Sequence, residues 1–293
     1  MPSPFIVAAL GMLVLTILDS FIKSLAGTYA TFQIVCLRFA FGALWASAIV
    51  AYSGHSLPPA ARMKAHMARA ALMIVTASGF FYALGKVPLA ELFAISFTAP
   101  IFTAIFGAVF LKEKVLPSIM IAIAAGFAGM LVIVLGPTEG GGLRLAYEPF
   151  ALFCAVISPI TYALAIVLLR SQASSEPMSV IISVQSAMVA LAVSPLAIAT
   201  FEPPTVVDWA KFAIAGLLGT TGYFAFTHAL KHLTAARFSV VEYTGLIWAS
   251  LIGYFIFNEV PKSTVWAGAA LIIAGCLLAV RAKSEGKALP EAS

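Results

Sequence analysis

A carboxylate, Glu242, lies inside a long apolar stretch in the last quarter of the chain. It is about seven residues into a run long enough to cross a bilayer, so helical rise puts it roughly 10 Å below the surface. A charge at that depth is costly and is a candidate for function by default. Glu242 could bind an ammonium group of a ligand or relay a proton. The alternative is a structural hydrogen bond, or an ion pair with Arg237 or Lys231.

Arg38 is a second ionisable residue in an apolar stretch, VCLRFAFGAL. Its guanidinium could attract a carboxylate of a ligand. Alternatively, it extends towards lipid headgroups or pairs with Asp19 in the preceding apolar run. Asp19 could instead pair with Lys23, because residues four positions apart meet on one helix face.

Residue patterns of hydrolases and nucleotide-driven machines do not occur in the sequence. His228 and His232 have the spacing of two metal ligands on a helix, but no HExxH glutamate or third ligand accompanies them. A GxSxG elbow, a Walker loop and a GxGxxG turn after a strand are also missing. Cys36, Cys154 and Cys276 lack CxxC spacing, which argues against disulfides and zinc. We expect no catalytic residues, no cofactor, no metal and no enzyme activity.

The composition shows which elements must position these residues. Of 293 residues, 62% are hydrophobic and 10% are charged, whereas soluble domains have about 25% charged residues. The net charge of +5 is scattered, which excludes a nucleic-acid partner and fits the basic loops of a membrane protein. Apolar runs of about 20 residues predict an all-α integral membrane protein with ten transmembrane helices. The predicted spans are 4–24, 31–52, 69–86, 90–111, 116–136, 149–169, 179–200, 210–230, 236–257 and 264–281.

The distribution of Lys and Arg predicts the orientation in the membrane. With the N-terminus inside, the inner loops hold eleven Lys and Arg residues, including Arg69 and Arg170, and the outer side holds five. Basic residues concentrate on the cytoplasmic side. Both termini are therefore expected in the cytoplasm.

An internal repeat divides the chain. Residues 79–134 align without a gap onto 225–280 at an offset of 146. Identical pairs include Ala90/Ala236, Thr98/Thr244, Gly107/Gly253, Glu113/Glu259 and Gly129/Gly275. The sequence predicts a first five-helix repeat in 1–138, a linker in 139–148, a second repeat in 149–282 and a cytoplasmic tail in 283–293. An odd number of spans gives the halves opposite orientations, and inverted repeats are typical of secondary transporters.

The arginine-containing second span, the segment PIFTAIFGAVFLKEKV and its counterpart GLIWASLIGYFIFNEV resemble the drug/metabolite transporter superfamily. Within it the whole chain is similar to the ten-helix EamA-type exporters, including the YddG-like aromatic amino-acid exporters. The resemblance implies a multi-pass protein of the bacterial inner membrane that moves small organic solutes out of the cell. It also favours a gating or structural role for Arg38 and Asp19.

Substrate sites of inverted-repeat transporters lie at short or Gly/Pro-interrupted spans in equivalent positions of the two halves. Span three is short, its counterpart span eight is rich in glycine, and Pro159 and Pro100 interrupt spans six and four. Close helix packing is the alternative role for the small residues, and simple packing for Trp248. The predicted cavity residues are Ser78, Gly79, Tyr82, Pro159, Tyr162, Thr221, Tyr223, His228, Glu242 and Trp248.

The inverted repeat predicts a secondary transporter that works by alternating access. The resemblance implies that it exports small metabolites, with aromatic or neutral amino acids as the best candidates. Its partners would be the small-molecule substrate and the lipid bilayer, and the protein would be a monomer or a homodimer. Export of drugs, purines or other metabolites is the nearest alternative. A channel and an intramembrane enzyme are more remote ones.

Overall fold

The computed structural model describes residues 3–86, 92, 95–96, 98–134, 148–257 and 263–281. Within these residues the regular structure is α-helical throughout. The helices are α1 (Pro4–Ala26), α2 (Thr31–Ser53), α3 (Ala60–Leu84), α4 (Ala99–Phe110), α5 (Pro117–Val134), α6 (Pro149–Ala173), α7 (Met178–Ala199), α8 (Val206–His232), α9 (Ala235–Glu242), α10 (Thr244–Phe257) and α11 (Ser263–Arg281). Five of them, α1, α2, α3, α6 and α7, are long and apolar enough to cross a membrane. Glu259, the tail 283–293 and all of the linker except Glu148 lie outside the described residues.

Two arginines that were expected in loops are buried inside helices. Helix α3 begins at Ala60, well before the predicted span start, so Arg69 lies within it and is only 1% exposed. Arg170 lies in α6 and is 4% exposed. Each finds a polar partner in the protein: Arg69 donates to the carbonyl of Ile181, and Arg170 pairs with Glu113. The expectation that Arg69 and Arg170 lie in loops is therefore wrong.

The predicted spans 90–111 and 236–257 are interrupted at equivalent places. Thr98 lies in a turn directly before α4, and a one-residue break separates α9 from α10 just before Thr244. The Thr98 hydroxyl donates to the carbonyl of Ile95 and the Thr244 hydroxyl to that of Val241, each over 2.7 Å. Such bonds compete with the helix backbone and bend it.

The two halves of the chain interlock. The most extensive helix contacts are α2 with α7, α5 with α11, α1 with α8 and α3 with α6. In the repeat, α6 is the counterpart of α1, and α8 is the counterpart of α3. The α1–α8 pair and the α3–α6 pair are therefore equivalent to each other. Likewise, α7 is the counterpart of α2, and α11 is the counterpart of α5. The α2–α7 pair and the α5–α11 pair therefore each join a helix to its own counterpart.

One end of the bundle, here named the Tyr29 end, carries the connections 27–30 and 200–205. The Tyr29 hydroxyl donates to Asp208 Oδ2 over 2.8 Å. Gln33 donates to the carbonyl of Glu202 over 2.6 Å and accepts from its amide over 2.9 Å. These bonds tie the α1–α2 connection to the α7–α8 connection.

The opposite end, named the Glu113 end, carries the connections 54–59, 111–116, 174–177 and 233–234. Arg62 donates to the carbonyl of Ser175 over 2.8 Å, and His66 Nε2 lies 2.8 Å from Glu176 Oε2. The offset of 146 takes the Tyr29–Asp208 contact to the Ser175–Arg62 contact. At each end, equivalent connections are therefore joined by a hydrogen bond, but the groups that form the bond differ between the two ends.

Candidate functional site

A cavity of about 170 Å³ lies in the middle of the bundle. Apolar and aromatic side chains form most of its wall, and helices from both halves of the chain contribute. Its lining comprises Met12, Leu15, Leu18, Asp19, Arg38, Phe39, Met73, Thr76, Ala77, Phe80, Phe81, Ser96, Ala99, Pro100, Ser158, Pro159, Tyr162, Tyr223 and Glu242. A mostly apolar pocket with a few polar groups is the usual form of a small-molecule site.

The two helix interruptions border this cavity. Glu242 is the last residue of α9, and Ser96, its equivalent at an offset of 146, lies just before the turn that precedes α4. Both side chains line the cavity. Interrupted helices at equivalent positions are where inverted-repeat transporters place their substrate.

Glu242 is 5% exposed, and its Oε2 atom has no hydrogen-bond partner among the described residues. The Tyr162 hydroxyl is a hydrogen-bonding neighbour of this carboxyl group. A buried acceptor without a partner is expensive. A donor entering the cavity, such as an ammonium group, would remove that cost.

Arg38 forms the cationic part of the wall. It is 6% exposed, and its guanidinium lies 4.0 Å from the ring centroid of Phe39 and 5.9 Å from that of Tyr223. Gly219 leaves room for it, because a Cβ atom there would lie 2.5 Å from Nη2. The Nε atom has no hydrogen-bond partner in the described part of the chain. Asp19 acts on Arg38 electrostatically, but the ion pairs among the described residues do not include these two.

Six of the predicted site residues come together here: Asp19, Arg38, Pro159, Tyr162, Tyr223 and Glu242. Helix α6 nevertheless continues through Pro159, so the expectation that this proline interrupts the span is wrong. A proline removes one backbone hydrogen bond, and the extensive packing of α6 on α3 supports the helix around it.

Tyr82 and His228, which are equivalent in the repeat, lie at opposite ends of the bundle and not in the cavity wall. The Tyr82 hydroxyl donates to Glu148 Oε1 over 2.9 Å, and its ring packs against Phe150. The His228 ring contacts that of His232, with centroids 5.2 Å apart.

The remaining predicted cavity residues also lie outside the lining. Gly79 packs against α6, because a Cβ atom there would lie 2.6 Å from Ser158 Oγ and 3.3 Å from the Cys154 carbonyl. Thr221 is exposed beside a surface groove, since it faces away from Tyr223 on the same helix. The placement of six residues in the cavity is thus corrected: Ser78, Gly79, Tyr82, Thr221, His228 and Trp248.

Sequence reasoning missed the aromatic and sulfur-containing part of the wall. Met73, Phe80 and Phe81 line the cavity from α3, and the Tyr223 hydroxyl lies 3.7 Å from the Met73 sulfur. Ser96 could have been found from the repeat, because it stands 146 residues before Glu242. No comparable signal distinguished the phenylalanines, since the chain has 22 of them.

Comparison with known proteins gives concordant matches. The model of the EamA-like transporter family matches residues 3–135 and 149–281. The S-adenosylmethionine uptake transporter of Rickettsia bellii is 26% identical, over 92% of this chain and 90% of its own. The pseudopaline exporter CntI of Pseudomonas aeruginosa is 25% identical, over 96% of this chain and 97% of its own. A solved crystal structure with 20% identity superposes with a TM-score of 0.76 over 94% of both chains, which shows a shared fold.

Proposed function

Since the chain belongs to the EamA-like transporter family, and is thus a membrane transporter and not an enzyme, we propose that it carries small zwitterionic metabolites across the bacterial inner membrane by alternating access. Amino acids, aromatic or neutral ones first, are the best candidates, and export is the direction that we favour. The observation that carries the proposal is the central cavity, in which a buried carboxyl and a buried guanidinium each keep an atom without a partner among the described residues.

A zwitterion would satisfy both groups at once. Its ammonium group would donate to Glu242, and its carboxylate would accept from Arg38 through charge-assisted hydrogen bonds. The rings of Phe39, Phe80 and Phe81 would cover an apolar side chain. Because Arg38 belongs to the first half of the chain and Glu242 to the second, one ligand would connect the two halves.

The charges of the lining favour substrates with an additional cationic group. Asp19 and Glu242 supply two carboxyl groups against the single guanidinium of Arg38. S-adenosylmethionine, which the Rickettsia bellii relative takes up according to its name, carries a sulfonium beside its ammonium and carboxylate groups. It is therefore a rational companion to the amino acids in a substrate screen.

The proposed topology has ten transmembrane helices in two inverted repeats, 1–138 and 149–282, joined by the linker 139–148 and followed by the tail 283–293. The equivalent helix pairs and the equivalent interruptions near Thr98 and Thr244 support this arrangement. With both termini in the cytoplasm, the Glu113 end is the cytoplasmic end. Alternating access then requires the cavity to open at the Glu113 end and at the Tyr29 end in turn.

Counterflow in proteoliposomes tests this function. Vesicles are loaded with one unlabelled compound, either an amino acid or S-adenosylmethionine, and accumulation of the same labelled compound is followed. We expect saturable, competable accumulation of a subset of the compounds. Glu242→Gln should lower it by roughly tenfold or more, because a charge-assisted hydrogen bond contributes about 1.5–3 kcal/mol.

Glu202→Gln is the matched control, since Glu202 is an exposed carboxyl at the Tyr29 end whose backbone makes the contacts described above. It should leave accumulation unchanged. Flat traces for every amino acid and for S-adenosylmethionine, from protein shown to be folded, would refute the proposed substrate class. Unchanged accumulation by Glu242→Gln would remove Glu242 from the site.

A further inference from the structure

Glu113 and Arg170 form a buried contact that joins three parts of the molecule. Arg170 Nε donates to Glu113 Oε1 over 3.2 Å, and Arg170 Nη1 donates to the carbonyl of Leu230. Glu113 Oε2 accepts from the backbone amide of Ala235 over 2.8 Å. The side chains of Glu113 and Arg170 are 12% and 5% exposed. The segment after α4 is thus fastened to α6 and to the junction of α8 with α9.

This contact lies on the Glu113 side of the cavity, with a layer of buried apolar side chains between them. On α1 the cavity lining starts at Met12, whereas Phe5 and Ala8 belong to the apolar layer. The layer also contains Ile119, Ile166, Leu169, Phe226, Leu230 and Phe238. In this conformation the cavity is closed towards the Glu113 end.

The contact fastens the two helices that run from the interruptions to the Glu113 end. Helix α4 follows the turn at Thr98, and α9 ends one residue before Thr244. They touch directly, because a Cβ atom at Gly107 of α4 would lie 2.9 Å from the Cβ atom of Ala235 in α9. An opening at this end by hinging at the interruptions would separate α4 from α9 and break the contact.

The arginine of this contact is not repeated at the equivalent position of the first half. The offset of 146 takes Arg170 to Ser24. Ser24 is exposed, and its hydroxyl donates to the carbonyl of Phe21 in its own helix. Arg170 thus bridges helices at the Glu113 end, whereas Ser24, at the equivalent position, bonds only within its own helix.

We propose that Glu113, Arg170 and the Ala235 amide form the latch of a gate at the Glu113 end. Because Ser24 stands at the position equivalent to Arg170, the repeat supplies this arginine to the Glu113 end, and in this structure the latch holds that end closed. The inference rests on the alternating-access function proposed above. It assigns to these residues a role in the conformational equilibrium and none in contact with the substrate.

Hydrogen–deuterium exchange of the full-length protein in lipid nanodiscs tests the latch without any substrate. Arg170→Ser installs the residue found at the equivalent position of the first half, and Glu113→Gln removes the charge of its partner. We expect amide exchange in 99–113 and 230–242 to rise by roughly tenfold or more, because the remaining buried charge loses its partner. Exchange in 76–84, on the cavity side nearer the Tyr29 end, should stay unchanged, because Ala77, Phe81 and Leu84 belong to a separate buried cluster.

The matched control is Lys114→Gln, which removes an exposed charge next to Glu113 and should leave both regions unchanged. Arg170→Lys keeps a charge opposite Glu113, so its amide exchange should be close to that of the wild type. If Arg170→Ser does not reconstitute into nanodiscs, the exchange of Glu113→Gln alone tests the latch. Exchange that rises in both regions, or that changes in neither, would overturn the latch. A rise confined to 99–113 and 230–242 together with flat counterflow would retain the gate and refute the proposed substrate class.

Discussion

The central cavity and the Glu113 end both bury carboxyl groups, but the carboxyl oxygens of the two regions differ in their hydrogen bonding. At the Glu113 end both oxygens of Glu113 are hydrogen-bonded, and Glu176 has His66 at 2.8 Å and Arg62 at 3.9 Å. In the cavity, Glu242 Oε2 and Arg38 Nε have no partners within the described structure.

This difference indicates that the buried charges at the Glu113 end stabilise the fold, whereas those in the cavity are available to bind a ligand. Removing one member of a paired, buried set leaves the other uncompensated, which is strongly destabilising. Removing a buried charge that is only partly hydrogen-bonded, such as that of Glu242, eliminates a desolvation cost that the protein offsets only in part. Stability measurements and transport measurements should therefore respond to different residues.

The largest expected effect is on stability, from neutralising Glu176. Glu176→Gln should lower the free energy of unfolding by about 3 kcal/mol, because it removes the acceptor charge from the buried His66 contact and from Arg62. Glu242→Gln, the same substitution in the cavity, should leave that free energy unchanged or raise it. Denaturant titration in mixed micelles measures both, with Glu202→Gln as the exposed control. Equal destabilisation by Glu176→Gln and Glu242→Gln would break the distinction between the two regions.

A smaller effect, on substrate affinity, is expected from Arg38→Gln. Losing the charge-assisted bond to a carboxylate should weaken half-saturation by roughly tenfold or more, since such bonds contribute about 1.5–3 kcal/mol. The carboxamide of the same amino acid should lose much less, because it never engaged the full charge. Competition in counterflow compares the two compounds, and Arg62→Gln at the Glu113 end is the control. If acid and amide weakened by the same factor, Arg38 would not recognise a carboxylate.

The membrane class and the long helices can be predicted from the sequence, because apolar runs are visible in the residues themselves. The prediction fails for Arg69 and Arg170, because an arginine at the end of an apolar run predicts a loop. Their partners, the Ile181 carbonyl and Glu113, are 112 and 57 residues away in the chain. Burial of a charge depends on such distant groups, and the residues next to it do not reveal them.

The sequence likewise predicted some of the site residues correctly and misplaced others. Glu242, Arg38 and Tyr223 were found because ionisable and glycine-flanked residues in the middle of a span are unusual. The prediction that Tyr82 and His228 line the cavity fails, because residues at equivalent positions of a repeat need not lie close together in the structure. In this structure equivalent residues near helix ends lie at opposite ends, and only those near the middle, such as Ser96 and Glu242, come to the same cavity.

The smallest effect is expected at the Tyr29 end, where a charge pair reaches solvent through Lys211, whose side chain is 32% exposed against 16% for Asp208. Asp208, which precedes the predicted span 210–230, accepts hydrogen bonds from Lys211, Thr205 and Tyr29. The bond from Lys211, followed by those from Thr205 and Tyr29, lowers the pKa of Asp208 from 3.8 to about 2. Because the pKa is lowered on folding, the stabilisation is complete above the unfolded value and is lost as pH falls through about 2.

Wild type and Asp208→Asn should therefore differ by only a few degrees in unfolding temperature at pH 5, and the difference should shrink towards pH 2. A charge pair that reaches solvent on one side contributes little because water screens it. Differential scanning fluorimetry in detergent at both pH values measures this, with Lys64→Gln, which removes an exposed charge, as the control. A difference that grew as the pH fell would mean that the carboxylate is not stabilised by its partners. Pairing would then hold charges in place only where they are buried, as at the Glu113 end.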